Sequence, residues 1–308
     1  MQIIQHLKNA TKKLENISES ARLDAEVLLA YNLNKTRTWL ITWPDKELNK
    51  DEEQSFNRLL DRRKNGEPIA HITGSREFWS LDLNISKDTL IPRPETELMI
   101  EKILNFYPRT PDASTGQFPG QNSDQASSIN CLDLGTGSGA IALALASERP
   151  DWNITATDQS AAALDVAKQN ALKLELNNIN FINGSWFEPF NAPSPRLAPK
   201  QTTEQIQLFD IIASNPPYIP RSDPHLSQGD VCFEPISALA SGEDGLDDIR
   251  LICQQALKHM KSGALLIIEH GFDQKAELHD IFMDSGYKNI QQFSDLSKQP
   301  RLTCGIKP

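Results

Sequence analysis

Near the middle of this 308-residue chain, the four residues Asn215-Pro216-Pro217-Tyr218 combine groups that can make a planar nitrogen react. The lone pair of an amide or heteroaryl NH₂ group is delocalised, so the nitrogen is a poor nucleophile. Two acceptors for its hydrogens, the Asn215 side-chain carbonyl and the Pro216 main-chain carbonyl, would aim the lone pair at an electrophile. They would also stabilise the positive charge that develops on nitrogen. The prolines hold the carbonyls rigidly, and Tyr218 offers a face for a planar group. Asn215, Pro216 and Tyr218 are therefore the catalytic candidates, and Asn215 to Tyr218 with Pro217 the substrate cradle. Asn-Pro turns are common in loops. This one ends the apolar run Leu208 to Ser214, which reads as a buried strand.

A second constellation suggests where the electrophile binds. Asp133-Leu134-Gly135-Thr136-Gly137-Ser138-Gly139 follows one strand-like run and opens a helical one. Its glycines allow a sharp turn and close approach of a ligand to the main chain. The spacing is G-x-G-x-G, not the G-x-G-x-x-G of dinucleotide folds, although Ala140 leaves that reading open. Asp133 would repel a pyrophosphate and suit an ammonium or hydroxyl. Asp158, 25 residues further on, can accept both hydroxyls of an adenosine ribose. Taken alone it would more simply be a helix cap; beside the glycine loop, ribose binding is favoured. An aromatic ring of Gly184-Ser185-Trp186-Phe187 could wall in an adenine or simply pack in the core. The binding candidates are thus Asp133, Gly135, Thr136, Gly137, Ser138, Gly139 and Asp158, beside the aromatic pair Trp186 and Phe187. A sulfonium methyl is the electrophile that suits the nitrogen site.

The elements that must position these residues alternate. Strand-like runs at Asn130 to Leu134, Asn153 to Thr157, Asn180 to Asn183, Leu208 to Ser214 and Ala264 to Glu269 are interleaved with helical runs. Those are Ala140 to Glu148, Ala161 to Leu174 and Asp247 to His259. This rhythm predicts an α/β fold with a doubly wound, mostly parallel sheet. Before it, Ile3, Leu7, Ala10 and Leu14 form one helical stripe, Leu23, Val27 and Ala30 a second, and Phe56, Leu59 and Leu60 a third. Trp79, Leu81, Leu83 and Ile85 alternate with polar residues and predict a strand in a hairpin. Glu95 to Phe106 reads as another helix. The expected division is a helical domain over 1–75, a hairpin linker over 76–94 and an α/β domain over 95–308. Segments 108–128 and 191–207 are rich in Pro, Ser, Gln and Asn and read as mobile loops.

The net charge is −10, from 31 basic and 41 acidic side chains. That argues against a protein gripping naked nucleic acid by its phosphates. Cys131, Cys232, Cys253 and Cys304 form no C-x-x-C pair, and the histidines have no zinc-ligand spacing, so no metal is expected. No signal peptide or membrane-length apolar run is seen. A cytoplasmic protein without a membrane association is expected.

The chain resembles the PrmC/HemK family, the peptide chain release factor glutamine methyltransferases, along nearly its whole length. The resemblance rests on Gly66-Glu67-Pro68-Ile69-Ala70-His71, Arg76-Glu77-Phe78-Trp79-Ser80-Leu81 and Ile91-Pro92-Arg93-Pro94-Glu95-Thr96-Glu97. It continues through the glycine loop, Asn215 to Tyr218, Asp223-Pro224-His225-Leu226, Gly229-Asp230-Val231, Phe233-Glu234-Pro235 and Glu269-His270-Gly271. It implies a class I S-adenosylmethionine-dependent methyltransferase domain with a seven-stranded sheet and a small N-terminal helical substrate-recognition domain. The implied reaction is N5-methylation of the glutamine in the Gly-Gly-Gln loop of bacterial class 1 release factors, that is release factors 1 and 2, with S-adenosylhomocysteine as product. Gly135 to Gly139, Asp158, Trp186 and Asn215 would then contact the cofactor, and Asn215 to Tyr218 the glutamine. Adenine-N6 methyltransferases of DNA or RNA share the glycine loop and Asn-Pro-Pro-Tyr. They need a basic, target-reading cleft, which this acidic sequence does not advertise.

Overall fold

The computed structural model describes residues 1–109, 128–191 and 207–308. The expected loops at 108–128 and 191–207 lie almost wholly outside the described residues. The chain folds as two compact units. One comprises Met1–Ser75 with Ile85–Lys87 and Ser227–Phe233, the other Arg76–Asn84 with Asp88–Leu226 and Glu234–Pro308.

The first unit is helical: α1 (Ile3–Leu14), α2 (Ala21–Leu33), α3 (Arg37–Thr42), α4 (Lys50–Lys64) and α5 (Ile69–Thr73). Ile3, Ala10, Leu14, Leu28, Leu29, Phe56 and Leu60 share one core. The α4 start is fixed by a capping box: Asn49 accepts from the Glu52 N–H while Glu52 accepts from the Asn49 N–H. The stripe expected on α2 is displaced. Leu23 is exposed and Val27 half-buried, whereas Ala21, Asp24, Ala25, Leu28 and Leu29 face inward. Paired charges explain the slip. Asp24 accepts from buried Arg63 at 2.8 Å, and Glu26 from Arg37 at 2.7 Å, so acidic residues occupy positions that the apolar period assigns to solvent.

The second unit opens with the hairpin β1 (Ser75–Phe78) and β2 (Leu81–Asn84). Trp79 is not a strand residue, as the alternation suggests, but half of the turn. It and Ser80 have φ of 52° and 60°, the left-handed pair of a tight hairpin. Glu97 accepts from the Trp79 backbone N–H, and Glu148 from its indole N–H, each at 2.9 Å, which locks the turn. Then follow α6 (Glu97–Phe106), β3 (Asn130–Leu134), α7 (Ala140–Glu148), β4 (Asn153–Asp158), α8 (Ala161–Lys173), β5 (Ile179–Asn183), α9 (Glu188–Asn191) and β6 (Phe209–Ser214). The unit ends with α10 (Asp247–His259), β7 (Met260–Glu269), α11 (Lys275–Asp284), β8 (Lys288–Ser294) and β9 (Pro300–Ile306).

The seven strands run in the order β5-β4-β3-β6-β7-β9-β8, with β9 antiparallel to both its neighbours and all other pairs parallel. The order reverses between β3 and β6, and ligands bind beyond the carboxyl ends of strands at such a switch point. One face of the sheet carries Leu132, Leu134, Ile212, Leu266 and Ile268 against Ile249, Ile252, Cys253, Leu278 and Phe282 of α10 and α11. On α7, Ala140 to Ala146 are all buried, as befits a helix covered on every side. Asn170 of α8 is fully buried. Its amide donates to the carbonyls of Ser138 (2.9 Å) and Asn84 (3.1 Å) and accepts from the Asn84 N–H (2.7 Å), tying the hairpin to the glycine loop.

Candidate active site

Two strand ends at the switch point build the site, and they are bonded to each other. The Ser214 hydroxyl at the end of β6 donates to the Leu134 carbonyl at the end of β3, at 2.9 Å. The glycine loop and the Asn-Pro-Pro-Tyr segment therefore leave the sheet side by side.

Within the loop, Asp133 is turned inward. It is fully buried, and its Oδ2 accepts from the Thr136 hydroxyl (2.6 Å) and the Ala142 N–H (3.2 Å), while Oδ1 has no partner among the described residues. Burial raises its pKa to about 7, against the two hydrogen bonds. Asp133 thus clasps the turn that the sequence asks it to serve from the ligand side. Thr136 also bonds β4, its N–H donating to the Thr157 carbonyl at 2.9 Å. Gly137, at φ 57°, has open space where a side chain would begin, and Gly139, at φ 89°, has Leu143 and Ala167 pressed against it. The first lets a ligand reach the backbone and the second lets α7 start.

Asp158 ends β4 with both oxygens engaged from one side: the Gly137 N–H donates to Oδ2 (2.9 Å) and the Ser160 N–H to Oδ1 (2.8 Å). The helix cap that Asp158 might have been is Ser160, whose hydroxyl accepts from the Ala163 N–H at 3.2 Å. Partial burial raises the Asp158 pKa, and these two bonds oppose the rise. A carboxylate offers about four lone-pair sites, so two remain for hydroxyl donors.

Trp186 both packs against the core around Phe187 and lines the cleft. Phe187 is core, stacked on His259 at 4.9 Å. The Trp186 ring lies against Gly135, and its indole N–H donates to Asp248 at 3.1 Å.

Gly135, Gly137, Asp158, Trp186, Asn215 and Pro217 line one cleft of about 850 Å³, its open mouth included. Asp133, Thr136, Ser138, Gly139, Pro216 and Tyr218 are not among the residues that line it. The Asn215 amide N–H donates to the Thr96 hydroxyl at 3.3 Å, which leaves its carbonyl for a ligand. The Tyr218 carbonyl accepts from the Gln274 amide at 2.9 Å, which anchors the far end of the segment, and burial pushes its phenol pKa up. The sequence reasoning missed the wall contributed by Asp88 to Leu90 and by Pro235, Ser237 and Ala238. Their only signal is position, inside or beside the blocks Ile91 to Glu97 and Phe233 to Pro235. Glu234 closes that side, accepting from the Ile91 N–H at 2.9 Å and pairing with Arg93.

A glycine-lined opening, a carboxylate with spare acceptors and an aromatic wall suit an adenosine bearing an amino-acid tail, so the residues present fit S-adenosylmethionine.

Known proteins place the chain. The profile of the PrmC N-terminal domain matches residues 5–74, and that of a methyltransferase domain matches residues 125–300. The release factor glutamine methyltransferase of Aliivibrio fischeri is 44% identical over 288 residues, covering 94% of this chain and 91% of the relative. That of Escherichia coli K12 is 41% identical over 302 residues, covering 98% of each. Among solved structures, the hMettl16 catalytic domain in complex with MAT2A 3'UTR hairpin 1 matches with a TM-score of 0.53 at 15% identity. It covers 86% of this chain and 83% of that one, a likeness of fold alone. That fold is the class I methyltransferase fold, and the chain belongs to the release factor glutamine methyltransferase family.

Proposed function

We propose that this chain methylates the side-chain amide nitrogen of the glutamine in the Gly-Gly-Gln motif of bacterial class 1 release factors. The observation that carries the reading is that one cleft wall holds both the Gly135–Gly137–Asp158 cradle and Asn215. Bound in that cradle, S-adenosylmethionine would supply an electrophilic methyl group on a sulfonium sulfur, with S-adenosylhomocysteine as the product. Asp158 would accept the ribose hydroxyls, Trp186 would wall the adenine, and Gly135 and Gly137 would admit the amino-acid tail. Asp133, Thr136, Ser138 and Gly139 support this by shaping the loop.

Asn215 and Pro216 act on the other reactant. Their carbonyls accept the two amide hydrogens, Pro217 and Tyr218 confine the planar group, and the nitrogen lone pair is left facing the methyl. As charge moves onto nitrogen these acceptors bind it more strongly, which favours the transition state over the ground state. The N-methylated amide nitrogen is strongly acidic until it sheds a proton, so the transfer does not depend on a prior deprotonation.

We read the helical unit as the part that recognises the release factor. It carries Ile4, Ile41 and Trp43 at 53%, 67% and 55% exposure, apolar side chains open to a protein partner. Release factors 1 and 2 are the proposed partners, in the cytoplasm and without direct nucleic-acid binding. Among the described residues, no helix is long and apolar enough to cross a membrane. The test is transfer of labelled methyl from S-adenosylmethionine to purified release factor, with mass spectrometry of the Gly-Gly-Gln peptide. Label on DNA, or on neither, would overturn the reading.

A further inference from the structure

A second carboxylate stands behind Asn215, and the chemistry described so far does not use it. Glu269 ends β7, directly across the ladder from the end of β6, where Ile268 pairs with Ser214. It is 1% exposed, and among the described residues its Oε2 has no hydrogen-bond partner. An unpaired buried carboxylate is costly, and an apolar side chain of similar shape would be more stable here. Arg301 of β9 offsets part of that cost by its charge, but its guanidinium is bonded to Asp295, at 3.1 Å. What faces Glu269 instead are Thr96 and Asn215, whose hydrogen bonding favours its charged form.

Thr96 is 3% exposed, and its hydroxyl has one proton. Because it accepts from the Asn215 amide N–H at 3.3 Å, that proton is free to go to Glu269. Asn215 can present either end of its amide to a neighbour. A carboxylate accepts only, so the Asn215–Thr96–Glu269 chain selects the orientation with nitrogen inward and carbonyl toward the cleft. Donating toward a negative charge also polarises the amide and makes that carbonyl a stronger acceptor.

We propose that Glu269 is a positioning residue which, through Thr96, fixes the Asn215 carbonyl toward the substrate nitrogen and strengthens it as an acceptor. This rests on the methyl-transfer reading given above. Burial first, with the charge of Glu95 adding to it, raises the Glu269 pKa to about 7, while Thr96, Arg301 and Asn215 oppose the rise; Tyr218 also faces it. Protonated Glu269 can donate as well as accept, and it then no longer selects one Asn215 orientation. The device therefore works on the alkaline side and fails as pH falls through about 7.

The test uses the full-length chain, labelled S-adenosylmethionine and release factor. Wild type comes first: no transfer to release factor removes the reaction and this inference with it. Given transfer, Glu269→Gln should lower kcat about 10²-fold, the scale of losing one preorganised electrostatic partner. Cofactor Kd and release-factor KM should stay within about twofold, because those contacts are unchanged. The wild-type kcat should decline below pH of about 7, and Glu269→Gln should lack that limb. Thr96→Val, an isosteric change that tests the relay even if the Glu269 variant folds poorly, should lower kcat about tenfold, and Thr96→Ser should recover most of it. Wild-type kcat in Thr96→Val, or an acid limb that persists in folded Glu269→Gln, would overturn the proposal.

Discussion

Replacing Asp158 by Ala separates the two tasks the structure gives this carboxylate. Its oxygens hold the Gly137 and Ser160 N–H groups at 2.9 and 2.8 Å, and it lines the cleft. Hydrogen bonds to a charged group contribute roughly 1.5–3 kcal/mol each, and an alternative water contact returns part of that. Loss of two ribose hydroxyl bonds should then weaken cofactor binding by about 2–3 kcal/mol, or about 30- to 150-fold in Kd. The ribose contacts are the same in ground and transition states, so kcat at saturating cofactor should fall much less. Losing the acceptor for two backbone donors should also lower the stability of the cofactor-free protein, by about 1–3 kcal/mol. Isothermal titration with S-adenosylmethionine measures the first quantity and denaturant unfolding the second. A variant that is destabilised yet binds cofactor with wild-type affinity would show Asp158 to be a loop anchor only, and would refute the ribose assignment.

Asn215→Ala should lower kcat by about 10²–10³-fold while cofactor affinity holds, and Asn215→Asp should fall between Ala and wild type; single-turnover methyl transfer measures both. Gly139→Ala should destabilise the α/β unit by about 1–3 kcal/mol in urea unfolding, because φ is 89° and a Cβ would lie 2.8 Å from Leu143. Paired Ile41→Ser and Trp43→Ser substitutions should raise KM for release factor and leave that for S-adenosylmethionine unchanged. Equal effects on both would move the docking surface away from this patch.

How much of this could be read from the sequence depended on whether the signal was local. The glycine loop, Asp158, Trp186 and Asn215 were legible because each stands at a strand end, where residue type and neighbourhood together carry meaning. Five strands and the major helices stood out by period. The edge strand β8, Lys-Asn-Ile-Gln-Gln-Phe-Ser, did not, because a half-solvated edge keeps no apolar alternation. The buried face of α2 was hidden by Asp24 and Glu26, whose arginine partners lie 39 and 11 residues away. The inward turn of Asp133 was equally illegible, since its direction is decided by a bond to Thr136. Glu269 looked like an ordinary end of a buried strand; only its distant neighbours Thr96 and Asn215 give it a task.

The bonds that assemble the site differ greatly in the length of chain they close. Gly137 to Asp158 spans 21 residues, whereas Asn215 to Thr96 spans 119 and Ile91 to Glu234 spans 143. Loop closure becomes costlier with span, and long-range pairings form late in folding. The cradle is a local structure that can mature early; the acceptor apparatus needs nearly the whole sheet in place. A refolding chain should therefore regain S-adenosylmethionine binding before it regains methyl transfer. The folding pathway itself would pass through a state that holds the donor and cannot yet hand on its methyl group, and simultaneous recovery of the two signals in a stopped-flow and quench experiment would contradict that order.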